Sequence, residues 1–181
     1  MAYLKAKFII PIFIPHYGCP HVCIFCDQKQ ITGQKLEVTG PAVAALLLRQ
    51  LAGVTPEREI EVAFYGGSFT ALPLAKQREL LAPAYEQLQA GNIHAIRLST
   101  RPDYITAPIL QQLRQLGVST VELGVQSMDD KVLSLSERGH TAQHVREAVP
   151  RLKEAGFHVG IQLMPGLPGE TTASLLKTTL E

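Results

Sequence analysis

Three cysteines, Cys19, Cys23 and Cys26, fall within eight positions of a chain that holds no others. They sit in the run Gly18-Cys19-Pro20-His21-Val22-Cys23-Ile24-Phe25-Cys26, spaced C-x3-C-x2-C. An odd trio this close is no disulfide framework. Thiolates are the usual ligands of iron–sulfur clusters, which are ordinarily held by four. Three from one loop leave one iron without a protein ligand, and an open iron lets a cluster bind and act on a substrate. Two other readings stand beside this one. A structural zinc prefers four closed ligands, with His16 or His21 as the fourth, and three thiols that bind no metal are the plainest option.

Such a loop must be held by its neighbours. Phe8–Ile14 reads as a strand ending just before the cysteines, with Pro11 suggesting an edge. Pro41–Leu51 reads as a helix opened by proline. Glu59–Tyr65 alternates as a second strand and stops at Gly66-Gly67. Helix Leu74–Gln89 follows, with a kink expected at Pro83. Strand Ala95–Ser99 leads to helix Ala107–Leu116, closed by Gly117. Strand Thr120–Val125 is followed by helical segments Asp129–Leu135 and Thr141–Ala155, then by strand Phe157–Met164 and helix Glu170–Leu180.

Five strand–helix units of roughly 30–40 residues each are the arithmetic of a parallel α/β sheet with right-handed crossovers. Periodicity leaves two architectures open, a doubly wound sheet or part of a β/α barrel. In either one, sites are built at the C-terminal ends of the strands, where the cysteines fall. The final helical pattern leads into no further strand, so residues 1–181 are expected to be one incomplete core domain of a longer protein.

Composition narrows the function classes. Of 181 residues 46% are hydrophobic and 18% charged, enough for a buried core and too apolar for disorder. Seventeen Lys+Arg against sixteen Asp+Glu give +1, so no global basic field marks a nucleic-acid binder. Lys29, Lys35 and Arg101 lie near expected strand-end loops without forming a dense patch. No apolar run approaches the ~18 residues of a membrane span, and Met1–Lys7 lacks a signal-peptide layout. A cytoplasmic location is the default expectation.

The cysteine spacing, with aromatic Phe25 before the last cysteine, resembles the hallmark of the radical S-adenosylmethionine (SAM) superfamily. The resemblance implies a partial β/α barrel holding a 4Fe–4S cluster on Cys19, Cys23 and Cys26, whose open iron chelates SAM. In that family the reduced cluster cleaves SAM to methionine and a 5′-deoxyadenosyl radical that abstracts hydrogen from the substrate. A flavodoxin- or ferredoxin-like donor supplies the electron.

Further motifs stand at the other strand ends. Gly66-Gly67 after strand two resembles the family's glycine motif, which receives the SAM amino group. Ser99-Thr100-Arg101-Pro102-Asp103-Tyr104 is similar to a stretch of the Elongator catalytic subunit and its bacterial relatives. That branch commonly has glutamate where Ser99 stands here, so a hydroxyl replaces a carboxylate. Gln126 matches a SAM-bonding position, and Arg138 in Glu137-Arg138-Gly139-His140-Thr141 matches the arginine that holds the SAM carboxylate. Gln162, before Met164-Pro165-Gly166-Leu167-Pro168-Gly169-Glu170-Thr171, falls in a motif shared with oxygen-independent coproporphyrinogen oxidases. Phe25 is expected near the adenine.

Glu122 is an acid in an apolar strand, costly to bury unpaired. It either faces outward or serves the site as a catalytic polar partner. His140 suits a structural histidine better than a catalyst. The Elongator likeness implies a tRNA base as substrate, and the alternatives are a porphyrin-like small molecule or a non-catalytic electron carrier.

Overall fold

The computed structural model describes residues 7–14, 19–26, 38–55 and 58–181. His16, Lys29 and Lys35 lie outside them. Strands β1 (Lys7–Phe13), β2 (Glu59–Tyr65), β3 (Ala95–Thr100), β4 (Val118–Gln126) and β5 (His158–Leu163) alternate with helices. The helices are α1 (Gly40–Leu51), α2 (Leu74–Gln89), α3 (Ala107–Gln115), α4 (Asp130–Leu135), α5 (Ala142–Glu154) and α6 (Thr172–Leu180). Single 3-10 turns, Phe69–Ala71 and Pro102–Tyr104, follow β2 and β3.

All five strands are parallel and pair in chain order, β1-β2-β3-β4-β5. This decides between the two architectures. A doubly wound sheet reverses its strand order at a switch point, and no reversal occurs here. With right-handed crossovers every helix then falls on one face, leaving the curved wall of a partial β/α barrel. Pro11 needs no ladder partner on its outer side because β1 is the edge strand. Helix α2 runs through Pro83.

Alternation along the strands sorts the two faces. Ile10, Ile12, Val62, Phe64, Ile96, Leu98, Val121, Leu123 and Val125 are buried toward the helices. There they meet Val43 and Leu47 of α1, Leu80 and Leu81 of α2, Leu113 of α3 and Leu152 of α5. Each such side chain contributes roughly 1.5–3 kcal/mol on burial. Capping sets the helix starts. Thr39 accepts from the Ala42 N–H at 3.4 Å with Pro41 at the first turn, and Asp129 caps α4.

The opposite, concave face carries a row of polar side chains, one per strand. Lys7 Nζ meets Glu61 Oε1 at 3.0 Å, and Arg97 bridges Glu61 at 2.7 Å and Glu122 at 2.8 Å. Gln162 Nε2 donates to Glu122 Oε2 at 3.1 Å. Burial works against the Arg97 charge, but the Tyr65 hydroxyl and the two carboxylates outweigh it and raise its pKa. Among the described residues, no helix is long and apolar enough to cross a membrane.

Candidate functional site

A cavity of about 400 Å³ opens at the C-terminal ends of the strands. The structure brings together in its lining Cys19, Cys23, Cys26, Phe25, Gly66, Gly67, Ser99, Gln126, Arg138 and Gln162. Phe13, Tyr65, Ser68, Thr100, Arg101 and Met164 line it too, and sequence reading did not single these out for it.

The cysteine loop is pinned from two sides. Cys26 N–H donates to Cys23 O at 2.9 Å, closing a tight turn, and Ile24 N–H donates to Ser136 O at 3.3 Å. Arg138 Nη1 approaches Cys23 Sγ at 3.4 Å, and Ser68 Oγ lies 3.3 Å from Cys19 Sγ. Gly139, at φ +75°, lies so close to the His21 ring that a Cβ there would come within 2.3 Å of it. Among the described residues no three His, Cys, Asp or Glu side chains gather closely enough to hold a single metal ion. Three thiols on one cavity wall, two of them faced by hydrogen-bond donors, fit a cluster whose sulfurs accept such bonds.

The opposite wall is built from strand ends. Gly66 takes φ +98°, which a Cβ would oppose, where β2 turns away from the sheet. Ser99 Oγ donates to Phe64 O at 3.4 Å, leaving its lone pairs toward an incoming donor. Gln126 adopts φ +69° at a register shift between β4 and β5, and its carbonyl accepts from Met164 N–H at 3.0 Å. Left-handed backbone in a non-glycine residue costs on the order of 1–3 kcal/mol and concentrates at binding sites. Arg138 Nη2 donates to Gly124 O at 2.6 Å, while its Nε is buried without an acceptor.

Two residues have surroundings that the sequence did not announce. Glu122 is not among the cavity-lining residues. Its oxygens are engaged by Arg97 and Gln162, so it orients the Gln162 amide from below. Arg101 is no surface cation. It is 2% exposed, forks onto Asp103 with two 2.9 Å bonds, and donates through Nη1 to Arg138 O at 2.7 Å. A buried guanidinium is stable only when paired in this way, and the third bond fixes the Arg138 backbone.

His140 is buried, with a ring nitrogen, Nε2, 3.2 Å from Val125 O. Burial first, then the Arg138 and Arg101 charges, lower its pKa to about 3, against smaller opposing effects of Asp103 and the Val125 bond. The ring is thus neutral and Nε2–H donates. An unfolded chain takes up this proton near pH 6.5, whereas the folded one refuses it until about pH 3. Stability must therefore fall as pH drops through that window, by about 2 kcal/mol between pH 7 and pH 5. Urea titrations should show this slope, shallower in His140→Gln by that amount; equal slopes would mean His140 protonates freely in the fold.

Parallel strands in chain order, with three cysteines and five strand ends on one cavity, define a partial β/α barrel with its candidate site at the strand ends. The Radical SAM superfamily model matches residues 13–180. The chain belongs to the radical SAM superfamily, whose enzymes use a 4Fe–4S cluster and SAM. It is 30% identical to a tRNA uridine(34) acetyltransferase of Dehalococcoides mccartyi, over 84% of this chain and 40% of that protein. Against the protein of the same name from Methanocaldococcus infernus identity is 34%, over 80% of this chain and 28% of the other. Identity to the heme chaperone HemW of Lactococcus lactis is 28%, over 90% and 42%. The chain thus spans less than half the length of each of these relatives. Among solved structures, archaeal Elp3 of M. infernus superposes with a TM-score of 0.68 at 24% identity, covering 98% of this chain and 42% of that one. Coproporphyrinogen III oxidase HemN of Escherichia coli gives 0.67 at 22%, covering 99% and 42%. At those identities the likeness speaks for the fold alone.

Proposed function

We propose that residues 1–181 form the core domain of an enzyme that reductively cleaves SAM and uses the resulting radical on a tRNA base. The observation that carries this reading is the convergence of the three-cysteine loop and all five strand ends on one cavity. When bound, the cluster supplies one electron to the SAM sulfonium. The chain's own residues hold and orient. Cys19, Cys23 and Cys26 ligate iron, and Gly66 and Gly67 let the backbone approach the SAM amino group. Arg138, with its unsatisfied buried Nε, takes the carboxylate. Ser99, Gln126 and Gln162 bond the remaining polar groups, and Phe25 covers the adenine.

The tRNA substrate is supported by the two relatives named as tRNA uridine(34) acetyltransferases. A porphyrin-like small molecule is the second reading, which the HemW likeness supports. A flavodoxin- or ferredoxin-like protein in the cytoplasm would supply the electron. The test is to load the full-length protein anaerobically with iron and sulfide, reduce it, add SAM and measure 5′-deoxyadenosine. Formation that requires reductant supports the reading. A loaded cluster that cleaves no SAM would leave a non-catalytic electron carrier.

Gly124 offers a finer check. A Cβ there would stand 2.7 Å from Arg138 Nη2 and 3.0 Å from Gln126 Nε2. Gly124→Ala must push both side chains aside with little effect on the core. SAM affinity should weaken about tenfold, ~1.4 kcal/mol, while the melting temperature stays within a few degrees. Calorimetric titration of the loaded protein reads this directly.

A further inference from the structure

Ser68 follows the glycine pair, is 2% exposed, and occupies the N-cap position of the 3-10 turn Phe69–Ala71. A serine at an N-cap ordinarily turns its hydroxyl onto a backbone N–H of the following turn. This one makes no such bond. Thr70 N–H goes instead to Thr100 Oγ1 at 3.2 Å, and Ala71 N–H to the Ser68 carbonyl at 3.0 Å. The freed hydroxyl lies 3.3 Å from Cys19 Sγ, 49 positions away in sequence.

We propose that Ser68 is a positioning residue for Cys19 and, through the same hydrogen bond, raises the reduction potential of the cluster. The proposal rests on the cluster assignment above and goes beyond it. A coordinated cysteine has lost its proton, so in the loaded site only the hydroxyl can donate. On reduction the cluster takes up one electron from a donor such as dithionite. No bond forms or breaks, and no proton moves. The added charge spreads onto the thiolates, and a donor to one of them stabilises the reduced state more than the oxidised one.

The hydroxyl is also held still. Thr70 Oγ1 and Thr100 Oγ1 are 2.6 Å apart, and buried Gln77 donates to Thr70 O at 3.1 Å and to Leu72 O at 2.8 Å. These bonds lock the turn that carries Ser68 at one register against the cysteine loop. Arg138 makes the comparable contact to Cys23, but it also holds Gly124 O, so removing it disturbs the cavity as well. Ser68 isolates the sulfur contact.

The experiment is a potentiometric titration of the full-length, anaerobically loaded protein without SAM, read by the electron paramagnetic resonance of the reduced cluster. At the wild-type midpoint, Ser68→Ala should lower the reduced-to-oxidised ratio roughly three- to tenfold, tenfold being ~59 mV for one electron. Ser68→Thr keeps the hydroxyl and should stay within about twofold of wild type. An unshifted Ser68→Ala midpoint at wild-type iron content overturns the proposal. If Ser68→Ala cannot be loaded, Ser68→Thr decides. Loading restored by threonine supports a hydroxyl that positions Cys19, and loading absent from both assigns the requirement to backbone fit and overturns it. Failure of the wild type itself to assemble a cluster would instead refute the cluster assignment.

Discussion

Cys23→Ala is expected to reduce 5′-deoxyadenosine formation to the level of protein carrying no cluster. The loss should exceed the ~10–100-fold that removal of an outer partner of a metal site costs. Cys23 is the most buried of the three cysteines and the one whose sulfur meets Arg138. Its carbonyl also accepts from Cys26 N–H, so the turn that spaces the second and third ligands closes on this residue. Alanine keeps that backbone bond and removes only the sulfur. Cys23 lies outside the apolar core between sheet and helices, so circular dichroism and melting should be near wild type. Iron and sulfide contents should fall together. Substantial turnover by the alanine variant would mean that the cysteine loop is not where electrons reach SAM.

Much of this was legible because parallel strands and their helices announce themselves locally. Glu59–Tyr65 and Leu74–Gln89 have the bounds read from sequence, since paired glycines end the strand and a proline opens the helix. β4 is longer than expected at both ends, running Val118–Gln126. Gly117 and Ser119 look like turn residues, yet Val118 already pairs with Ile96 of β3, and Ser119 is the extra residue at the register shift that follows. Gln126 continues the strand in a left-handed conformation that its side chain does nothing to advertise.

What the sequence hid is long-range pairing. Glu122 stood out as an acid in an apolar strand, but its partners are 25 and 40 positions away. No local pattern says that Arg97 and Gln162 come to the same face, because that depends on register and on strand order. Ser68 was hidden for the opposite reason. A serine after glycines before a turn already has an ordinary explanation as a cap, and only the fold shows its hydroxyl turned to Cys19. The burial of Arg101 was hidden because charged residues are mostly exposed. Its partner Asp103 is two residues on, brought round by the 3-10 turn Pro102–Tyr104.

That pair yields a large stability effect from a single conservative substitution. Asp103→Asn keeps the size of the side chain but removes the charge opposite a guanidinium that is 2% exposed. One of the two fork bonds then sets an amide N–H₂ against an N–H of Arg101. Breaking a buried pair from one side costs about 3–5 kcal/mol, and urea denaturation should show a loss in that range. Replacing both partners with leucine should recover most of it, since apolar substitution of a whole buried pair is often neutral. Stability and site geometry then separate. The double variant still lacks the Arg101 donor to Arg138 O, so the Arg138 backbone is released while the fold holds. SAM affinity should remain about tenfold weak, ~1.4 kcal/mol, in a protein that melts near wild type. Full recovery of affinity in the leucine pair would show that the turn carrying Arg138 sets its own geometry, and that Arg101 serves stability alone.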